Sequence, residues 1–361
     1  RLLGKEARYV ELDRQLTPRR HAQILQLGIP GVYFADSDVR IYPQHRTAAH
    51  IIGYVDTDKI GIAGIEKSMN ARLAAGKDVT LSIDLGTQAV LEREIKQQID
   101  KFEAIGGAGV LLDIKSGEVL SLASFPNFNP NQFGLASDDA RFNRATKGLY
   151  EMGSTFKPLT AVNGFDYGII DPSMVFDVKK SIKGVKDHDS YKDDGLYDVE
   201  KIVVESSNIG TAQIALKIGK KNQKDFLKKL GFFEKIDIEL LEVAKPLANP
   251  NNWREHETTR IGFGHSFSIT PLHLSQEPQS KPLFLHSSQS QSLFSIPSFL
   301  LHSKPSFLFF IPSSTGSSSS TFSIAASISS SIVFSSSFLS SFSSSSFSIP
   351  SFRPARSNTS D

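Results

Sequence analysis

A chain of 361 residues is long enough for two domains. Its formal net charge of +2 gives no reason to expect a nucleic-acid partner. Cysteine is absent, which excludes a disulfide framework and thiolate chemistry. The N-terminus shows no signal peptide, and no long uncharged apolar run follows it.

Composition divides the chain into three zones, which we interpret as domains. Residues 1–77 are mixed and charged, and residues 78–274 alternate strand-like and helix-like segments. Residues 275–361 differ abruptly, because 34 of these 87 residues are serine and no charged residue occurs between Lys304 and Arg353. This tail has neither a helical nor a strand period, so we predict no packed fold there.

The tail has three interpretations. An uncharged window at 321–339 has the length of a transmembrane helix, but eight of its 19 residues are serine, which argues against a span. The second interpretation is a disordered, low-complexity segment. The third, which we favour, is an out-of-frame sequence, because Ser, Phe, Leu and Pro share pyrimidine-rich codons and the composition shifts suddenly.

The middle zone is typical of an α/β (α+β) fold. Residues 79–83 alternate like a strand, and Asp84 follows as a helix cap. Residues 86–102 carry apolar side chains close to helical spacing. The runs 109–114 and 118–123 flank a turn that contains glycine, which predicts a hairpin. Antiparallel strands beside helices predict a sheet flanked by helices.

The stretch Gly153-Ser154-Thr155-Phe156-Lys157 carries a serine and a lysine three residues apart. A serine hydroxyl becomes a good nucleophile when a neighbouring base takes its proton, and lysine is such a base when desolvation lowers its pKa. Residues i and i+3 share one face of a helix, and Gly153 and Pro158 suit the start of one. Alone this spacing is a weak signal, because a surface Ser and Lys on a helix is the usual explanation.

A second polar triplet, Ser206-Ser207-Asn208, lies further along the chain. Its serine hydroxyl can relay a proton between the lysine and a leaving amine, and its amide can bind a substrate carbonyl and hold the lysine. Taken alone, the triplet is more simply a helix cap, because Ser and Asn favour that position.

Together these residues resemble the class B penicillin-binding proteins, the D,D-transpeptidases that cross-link peptidoglycan. Ser-x-x-Lys and Ser-x-Asn are two motifs of that family, and similar segments run almost continuously from about residue 1 to residue 274. These further segments are Arg40-Ile41-Tyr42-Pro43, His50-Ile51-Ile52-Gly53-Tyr54-Val55, Gly64-Ile65-Glu66, Asn143-Arg144-Ala145, Tyr150-Glu151-Met152, Trp253, Gly262-Phe263-Gly264 and Ile269-Thr270-Pro271-Leu272. The last three are expected to line the cleft. The residues around Ser154 are most similar to the division-specific branch, the penicillin-binding protein 3 type.

The resemblance implies a β-lactamase-like transpeptidase sheet flanked by helices at 78–274 and a small, dimerisation-type pedestal at 1–77. It also implies the roles of the site residues. Ser154 attacks the D-Ala-D-Ala carbonyl of a stem peptide, Lys157 accepts its proton, and Ser206 passes a proton to the departing D-Ala. Asn208 orients the lysine and the substrate, and the substrate-binding surface includes Ser207 and Gly153. The reaction needs no metal and no cofactor.

The same resemblance implies partners and a location. The expected partners are peptidoglycan stem peptides, β-lactams, cell-division proteins and a glycosyltransferase. The expected location is the periplasmic face of the bacterial inner membrane, with a membrane anchor upstream of residue 1.

The family's third motif, Lys-Thr-Gly, is missing from this sequence. It is expected on a β-strand at the cleft edge, where it binds the substrate carboxylate and supplies one oxyanion-hole amide. Ser314-Thr315-Gly316 is the nearest string, but it lacks the cation and a strand pattern, so we reject it. We find no counterpart for the strands and final helix that complete the family's sheet. We therefore expect an incomplete sheet, poor folding, and slow or absent acylation.

Two other functions stay open at this point. The pedestal and the partial domain could form a non-catalytic module that binds division or cell-wall proteins, which the missing third motif favours. A β-lactamase or a β-lactam sensor shares the Ser-x-x-Lys arrangement. The pedestal-like residues between Arg40 and Glu66 argue against it, because those proteins usually lack this region.

Overall fold

The computed structural model describes residues 10–275, apart from 15, 37, 114–115, 188–193 and 249–252. Of the tail it describes the backbone of two strands, 306–310 and 324–327.

Helices cover much of the described chain. They are α1 (Pro18–Gln26), α2 (Ala49–Ile52), α3 (Gly64–Ser68), α4 (Asn70–Ala74), α5 (Leu85–Phe102), α6 (Asp138–Arg141), α7 (Lys157–Asp166), α8 (Val199–Val204), α9 (Asn208–Lys229), α10 (Glu255–Gly262) and α11 (Pro271–Ser275), with 3₁₀ turns at Pro130–Leu135 and Gly153–Phe156. The predicted helix at 86–102 is confirmed as α5, with Asp84 accepting a hydrogen bond from the Thr87 N–H as its cap. The longest helix, α9, is interrupted at Gly219, where the backbone is left-handed in φ.

The strands form one larger sheet and three short pairs. They are β1 (Tyr54–Val55), β2 (Gly61–Ala63), β3 (Gly107–Asp113), β4 (Val119–Phe125), β5 (Tyr150–Glu151), β6 (Phe176–Asp177), β7 (Leu196–Tyr197), β8 (Ser268–Ile269), β9 (Ser306–Phe310) and β10 (Ile324–Ser327). The larger sheet has the order β10-β9-β3-β4, and the pairs are β1-β2, β5-β8 and β6-β7, all antiparallel. The predicted hairpin is confirmed as β3 and β4.

Residues 79–83 do not form the predicted strand, and the structure assigns them a lone β-bridge at Leu81. The segment runs beside β4 and touches its backbone through the Ser82 hydroxyl, which donates to the Val119 carbonyl at 2.8 Å. Its apolar side chains, Val79, Leu81 and Ile83, pack against the core. The alternation in the sequence therefore reflects which side chains face the core. It does not indicate a continuous ladder of backbone hydrogen bonds.

The outer edge of β4 is covered by α5. The Gln88 side chain is fully buried, accepts from the Leu122 N–H at 2.9 Å and donates to the Leu122 carbonyl at 2.9 Å. The side-chain amide thus takes the two hydrogen bonds that a further strand would make, and it closes the sheet edge.

The main core joins the pedestal residues to the sheet. Ile51 and Ile65, from α2 and α3, pack with Val110, Leu122 and Leu272. A second, aromatic cluster lies beneath the residues around Ser154 and consists of Met152, Phe156, Phe226, Leu227, Leu230, Phe232, Trp253, Ile261, Phe267 and Ile269. The first cluster fixes the sheet on the N-terminal region, and the second fixes the start of α7.

The tail contains two strands that the sequence analysis did not predict. β9 pairs with β3 through Leu111↔Leu308 and its neighbours, and β10 pairs with β9. The absence of a strand period in the tail did not predict these nine strand positions, and the prediction of no packed fold there stays a prediction. The physical reason is that β3 presents unpaired backbone groups on that side, and an uncharged run rich in Phe and Leu has high strand propensity. The window at 321–339 lies outside the described residues except for β10, and Ser314-Thr315-Gly316 lies outside them entirely.

Within the described part of the chain, no helix is both long enough and apolar enough to cross a membrane.

Candidate active site

Ser154 and Lys157 lie where a 3₁₀ turn leads into α7. Gly153 begins the turn with a φ of +56°, a conformation that glycine adopts without strain. Lys157 is the first residue of α7, and Pro158 follows in its first turn. The predicted helix start is thus confirmed. The Ser154 side chain is exposed, whereas Lys157 is only 2% exposed.

The segment Gly262–Gly264 packs against the backbone of this turn. The Gly153 N–H donates to the Gly264 carbonyl at 3.0 Å. Gly264 has a φ of +84°, and a Cβ built on it would lie 2.0 Å from the Gly153 oxygen. No residue with a side chain fits at Gly264 without moving the backbone next to Ser154.

Glu151 ties the same two segments together on the surface. One carboxylate oxygen of Glu151 lies 2.8 Å from His265 Nδ1, and the other accepts from the Ser266 N–H at 2.7 Å. Glu151 belongs to β5, which pairs with β8. Sequence reasoning missed the partners of Glu151, since no spacing rule links residues that lie 114 positions apart.

The Lys157 side chain reaches the turn between α8 and α9. Its Nζ donates to the Ser206 hydroxyl at 2.9 Å and to the Ser206 backbone oxygen. Burial lowers the pKa of Lys157 from 10.5 to about 8, while the charge of Asp187 acts in the opposite direction. The neutral form that a general base requires is therefore much more populated near physiological pH than in an ordinary lysine.

Ser206 occupies a left-handed backbone conformation, with a φ of +54°. Such a φ is uncommon for a residue other than glycine. It turns the carbonyl and the hydroxyl of one residue toward the same amine, that of Lys157. The contact between Ser206 and Lys157 that the sequence analysis expected is present.

Ser207 and Asn208 begin α9. Ser207 is its N-cap, with its hydroxyl oxygen accepting from the Gly210 N–H at 2.9 Å, so the helix-cap interpretation of the triplet is correct for this residue. The Asn208 side chain donates to the Lys186 carbonyl at 3.2 Å and makes no hydrogen bond to Lys157. The expected contact between Asn208 and the lysine is thus absent from the described geometry.

Asp187 is the residue near the site that sequence reasoning missed. Its carboxylate accepts from the Ser207 hydroxyl at 2.6 Å and from the backbone N–H groups of Asn208 and Ile209. The available signal was weak. An acidic residue some 20 positions before a Ser-Ser-Asn triplet has no periodic relation to it.

The Ser154 hydroxyl makes no hydrogen bond to any described residue, Lys157 included. Nucleophile–base hydrogen bonds are often long or absent without substrate and shorten when it binds. The arrangement consists of an exposed hydroxyl one helical turn from a buried amine, and the amine is bonded to a second hydroxyl. This arrangement can carry out acyl transfer through a serine ester.

The expectation that Trp253 lines the cleft stays a prediction, and the structure places this residue in the aromatic cluster beneath Ser154. Its side chain is 3% exposed, and its indole N–H lies 3.2 Å from both Gln223 Oε1 and Thr258 Oγ1. Ile269 and Leu272 are likewise fully buried. All three C-terminal segments expected at the cleft contact the residues around Ser154. Gly264 accepts a hydrogen bond from Gly153, and Ile269 pairs with Tyr150. Trp253 packs in the aromatic cluster with Met152 and Phe156.

Two family models match the chain. Residues 107–277 match the penicillin binding protein transpeptidase domain. Residues 4–100 match the penicillin-binding protein dimerisation domain. The predicted domain boundary at residue 77 and the assignment of the tail stay predictions.

Curated relatives agree with these matches. The probable peptidoglycan D,D-transpeptidase FtsI of Caulobacter vibrioides is 38% identical over 268 residues, which are 72% of this chain and 45% of that protein. The peptidoglycan D,D-transpeptidase FtsI of Escherichia coli K12 is 28% identical over 301 residues, 75% of this chain and 51% of that protein. The chain thus spans about half the length of the curated relatives it matches.

Solved structures share the fold. Penicillin binding protein 3 of Mycobacterium tuberculosis, in its apo form, has a TM-score of 0.60 and 28% identity, covering 66% of this chain and 57% of that one. The same protein in complex with ampicillin has a TM-score of 0.61 at the same identity, covering 66% of this chain and 56% of that one.

Proposed function

This chain belongs to the class B penicillin-binding proteins, and we propose that it is a serine-type peptidoglycan D,D-transpeptidase of the division-specific branch. The substrate is the D-Ala-D-Ala end of a stem peptide, and the reaction needs no metal or cofactor. The proposal extends to this chain an activity that belongs by name to its relatives.

The proposed reaction has two steps. The Ser154 oxygen attacks the carbonyl of the penultimate D-Ala while Lys157 takes the hydroxyl proton. A proton then passes through Ser206 to the nitrogen of the terminal D-Ala, the peptide bond breaks, and D-Ala leaves. The amine of a second stem peptide attacks the resulting ester, and Ser154 recovers its proton.

One observation carries the proposal. A lysine that is 2% exposed, with its pKa lowered by burial to about 8, donates to the Ser206 hydroxyl at 2.9 Å one turn away from an exposed serine. A buried ammonium without an ion pair costs folding free energy, and a lysine with a pKa perturbed in this way marks a candidate functional site. Proton transfer from Ser154 would explain why the chain keeps a buried lysine in spite of its cost in stability.

The remaining site residues have proposed binding roles. Gly153 and Ser207 lie next to the two residues that handle the proton, and both are buried, so their contribution to substrate binding is through the backbone and the shape of the surface. We assign Asn208 to the substrate. In the described geometry its side chain donates to the Lys186 carbonyl and not to Lys157.

We propose that acylation by this chain is slow. One oxyanion-hole donor contributes about 10²–10³-fold in rate, and Lys-Thr-Gly, which supplies the second donor in the family, does not occur in the sequence. The strands β9 and β10 read Ser-Phe-Leu-Phe-Phe and Ile-Ala-Ala-Ser and carry no cation for the substrate carboxylate.

We also propose the setting in which the chain acts. Its substrates lie at the periplasmic face of the inner membrane, where it meets cell-division proteins and a glycosyltransferase. β-Lactams imitate the dipeptide and acylate Ser154. The M. tuberculosis relative has been solved with aztreonam and with ampicillin, which supports the β-lactam part of the proposal.

Labelling with a fluorescent penicillin tests the function. We expect slow labelling of the full chain, its loss in Ser154→Ala, and its retention in Ser173→Ala, which removes an exposed hydroxyl that bonds only the nearby Asp171. Labelling that persists in Ser154→Ala would refute the nucleophile. A rate equal to that of E. coli FtsI would refute the proposed impairment.

A non-catalytic binding module is the second candidate, and the missing Lys-Thr-Gly motif favours it. It predicts no Ser154-dependent labelling of a chain that unfolds cooperatively. A β-lactamase would instead lose the label rapidly by hydrolysis, which a chase without free penicillin measures.

A further inference from the structure

Asp187 holds together the corner that presents Ser206 to Lys157. Its two carboxylate oxygens accept three hydrogen bonds, from the Ser207 hydroxyl at 2.6 Å, from the Asn208 N–H, and from the Ile209 N–H at 2.9 Å. Two of these donors are N–H groups of the first turn of α9, which have no partner inside the helix. The carboxylate also complements the positive end of the helix dipole.

These bonds connect two segments that the chain separates. Asp187 follows the short turn between Ile182 and Val185, which form an isolated bridge, and Ser207 lies 20 residues later. The Asn208 side chain reinforces the connection through the Lys186 carbonyl. The loop before α8 and the start of α9 therefore share one set of polar contacts beside the lysine.

The charge of Asp187 also reaches the lysine. The carboxylate counteracts part of the lowering of the Lys157 pKa that burial produces, and no other charged group in the described part of the chain contributes. Asp187 makes no hydrogen bond to Lys157, so it acts on the amine through space and through the position of Ser206.

We propose that Asp187 is a positioning residue of the active site, which fixes the Ser206 corner against Lys157 and brings a carboxylate charge into the surroundings of the buried amine. The substitution Asp187→Asn keeps two acceptor lone pairs for the N–H groups but removes the charge. Asp187→Glu keeps the charge on a longer arm. Comparison of the two variants separates the effect of the carboxylate charge on Lys157 from the effect of the hydrogen bonds to the Ser206 corner.

This inference rests on the proposed function, but its test does not need catalysis. The chain is produced with lysine labelled with ¹³C at the ε carbon, and the Lys157 signal is identified by its loss in Lys157→Met. Titration of that signal gives the pKa of the amine directly. A chain that never reacts with penicillin still gives this result, so failure of the proposed function and failure of the inference are distinguishable.

We expect a midpoint near 8 in the parent chain, a lower midpoint in Asp187→Asn, and a midpoint near the parent value in Asp187→Glu. The matched control is Asp198→Asn. Asp198 caps α8 by accepting from the Lys201 N–H at 2.8 Å, so its loss removes a helix-capping carboxylate that does not touch the Ser206 corner. In Asp198→Asn, the Lys157 signal is expected to titrate with the same midpoint as in the parent chain.

An unchanged Lys157 midpoint in Asp187→Asn would overturn the inference, and so would equal lowering in the Asn and Glu variants. If Asp187→Asn does not fold, the Glu variant decides alone, since a midpoint lowered in spite of the retained charge contradicts the proposal. Where the chain labels with penicillin, the labelling rate of Asp187→Asn should shift along the pH axis in the same direction as the midpoint. A purely structural role would lower the rate equally at every pH.

Discussion

Replacement of Lys157 by methionine tests the energetic cost of the buried amine. The pKa of Lys157 is 10.5 in an unfolded chain and about 8 in the folded protein, with burial as the main cause. The unfolded state thus binds the proton more tightly, so folding below pH 8 carries the full penalty. This penalty amounts to about 3 kcal/mol at pH 7 and falls as pH rises from about 8 toward 10.5.

The deciding quantity is the change in unfolding free energy between two pH values, compared between the parent chain and Lys157→Met. Between pH 7 and pH 9.5, a group with these two pKa values gives the parent chain about 2 kcal/mol of unfolding free energy that Lys157→Met does not gain. Loss of the hydrogen bonds to Ser206 lowers the unfolding free energy of the variant by the same amount at both pH values. The other titrating groups are present in both proteins, so their contributions cancel in the comparison.

Urea unfolding of both proteins at the two pH values measures this quantity. Lys228→Met serves as the control, because it makes the same replacement at an exposed lysine. If the parent and Lys157→Met keep the same stability difference at pH 7 and pH 9.5, Lys157 titrates as an ordinary lysine and the general-base argument fails.

Two further predictions concern the turn at Ser154 and its chemistry. Gly264→Ala should destabilise the chain by about 2–5 kcal/mol, from the left-handed φ and the overlap with Gly153 together, whereas Gly231→Ala, with a φ of +72° and open space, should cost only about 1–2 kcal/mol. Equal losses in urea unfolding would show that the contact with Gly153 is not tight. The rate of penicillin labelling should rise with pH and level off above about 8, because the neutral form of Lys157 accepts the proton. A rate that falls over this range would exclude Lys157 as the base.

The sequence predicted the parts of the site that lie within a local spacing rule. Ser154 and Lys157 share a helix start, so their relation follows from helical geometry. The contact of Lys157 with Ser206 followed from the resemblance alone, since neither residue carries a signal for the other across 49 positions. Asp187 and the Glu151–His265 contact had no signal of either kind.

The errors at the level of the fold have a similar cause. Residues 79–83 show strand alternation because their apolar side chains face the core, yet the segment reaches β4 through the Ser82 hydroxyl and not through a ladder of backbone hydrogen bonds. β9 was missed because strand formation there depends on the unpaired edge of β3 and not on a pattern within the tail. In both cases tertiary context overrides the local pattern.

Ser206 and Ser207 separate the two explanations of the triplet. A helix cap needs Ser207, whose hydroxyl accepts from the Gly210 N–H, but it gives no reason for a serine at Ser206 in a left-handed conformation. The lysine does give one, because both oxygens of Ser206 accept from it. Ser206→Gly should therefore leave the unfolding free energy nearly unchanged, since glycine relieves the strained φ and keeps the carbonyl, while penicillin labelling slows. Ser207→Ala should cost about 1 kcal/mol through the lost cap. If Ser206→Gly labels as fast as the parent chain, the hydroxyl has no part in proton transfer and the triplet is a cap alone.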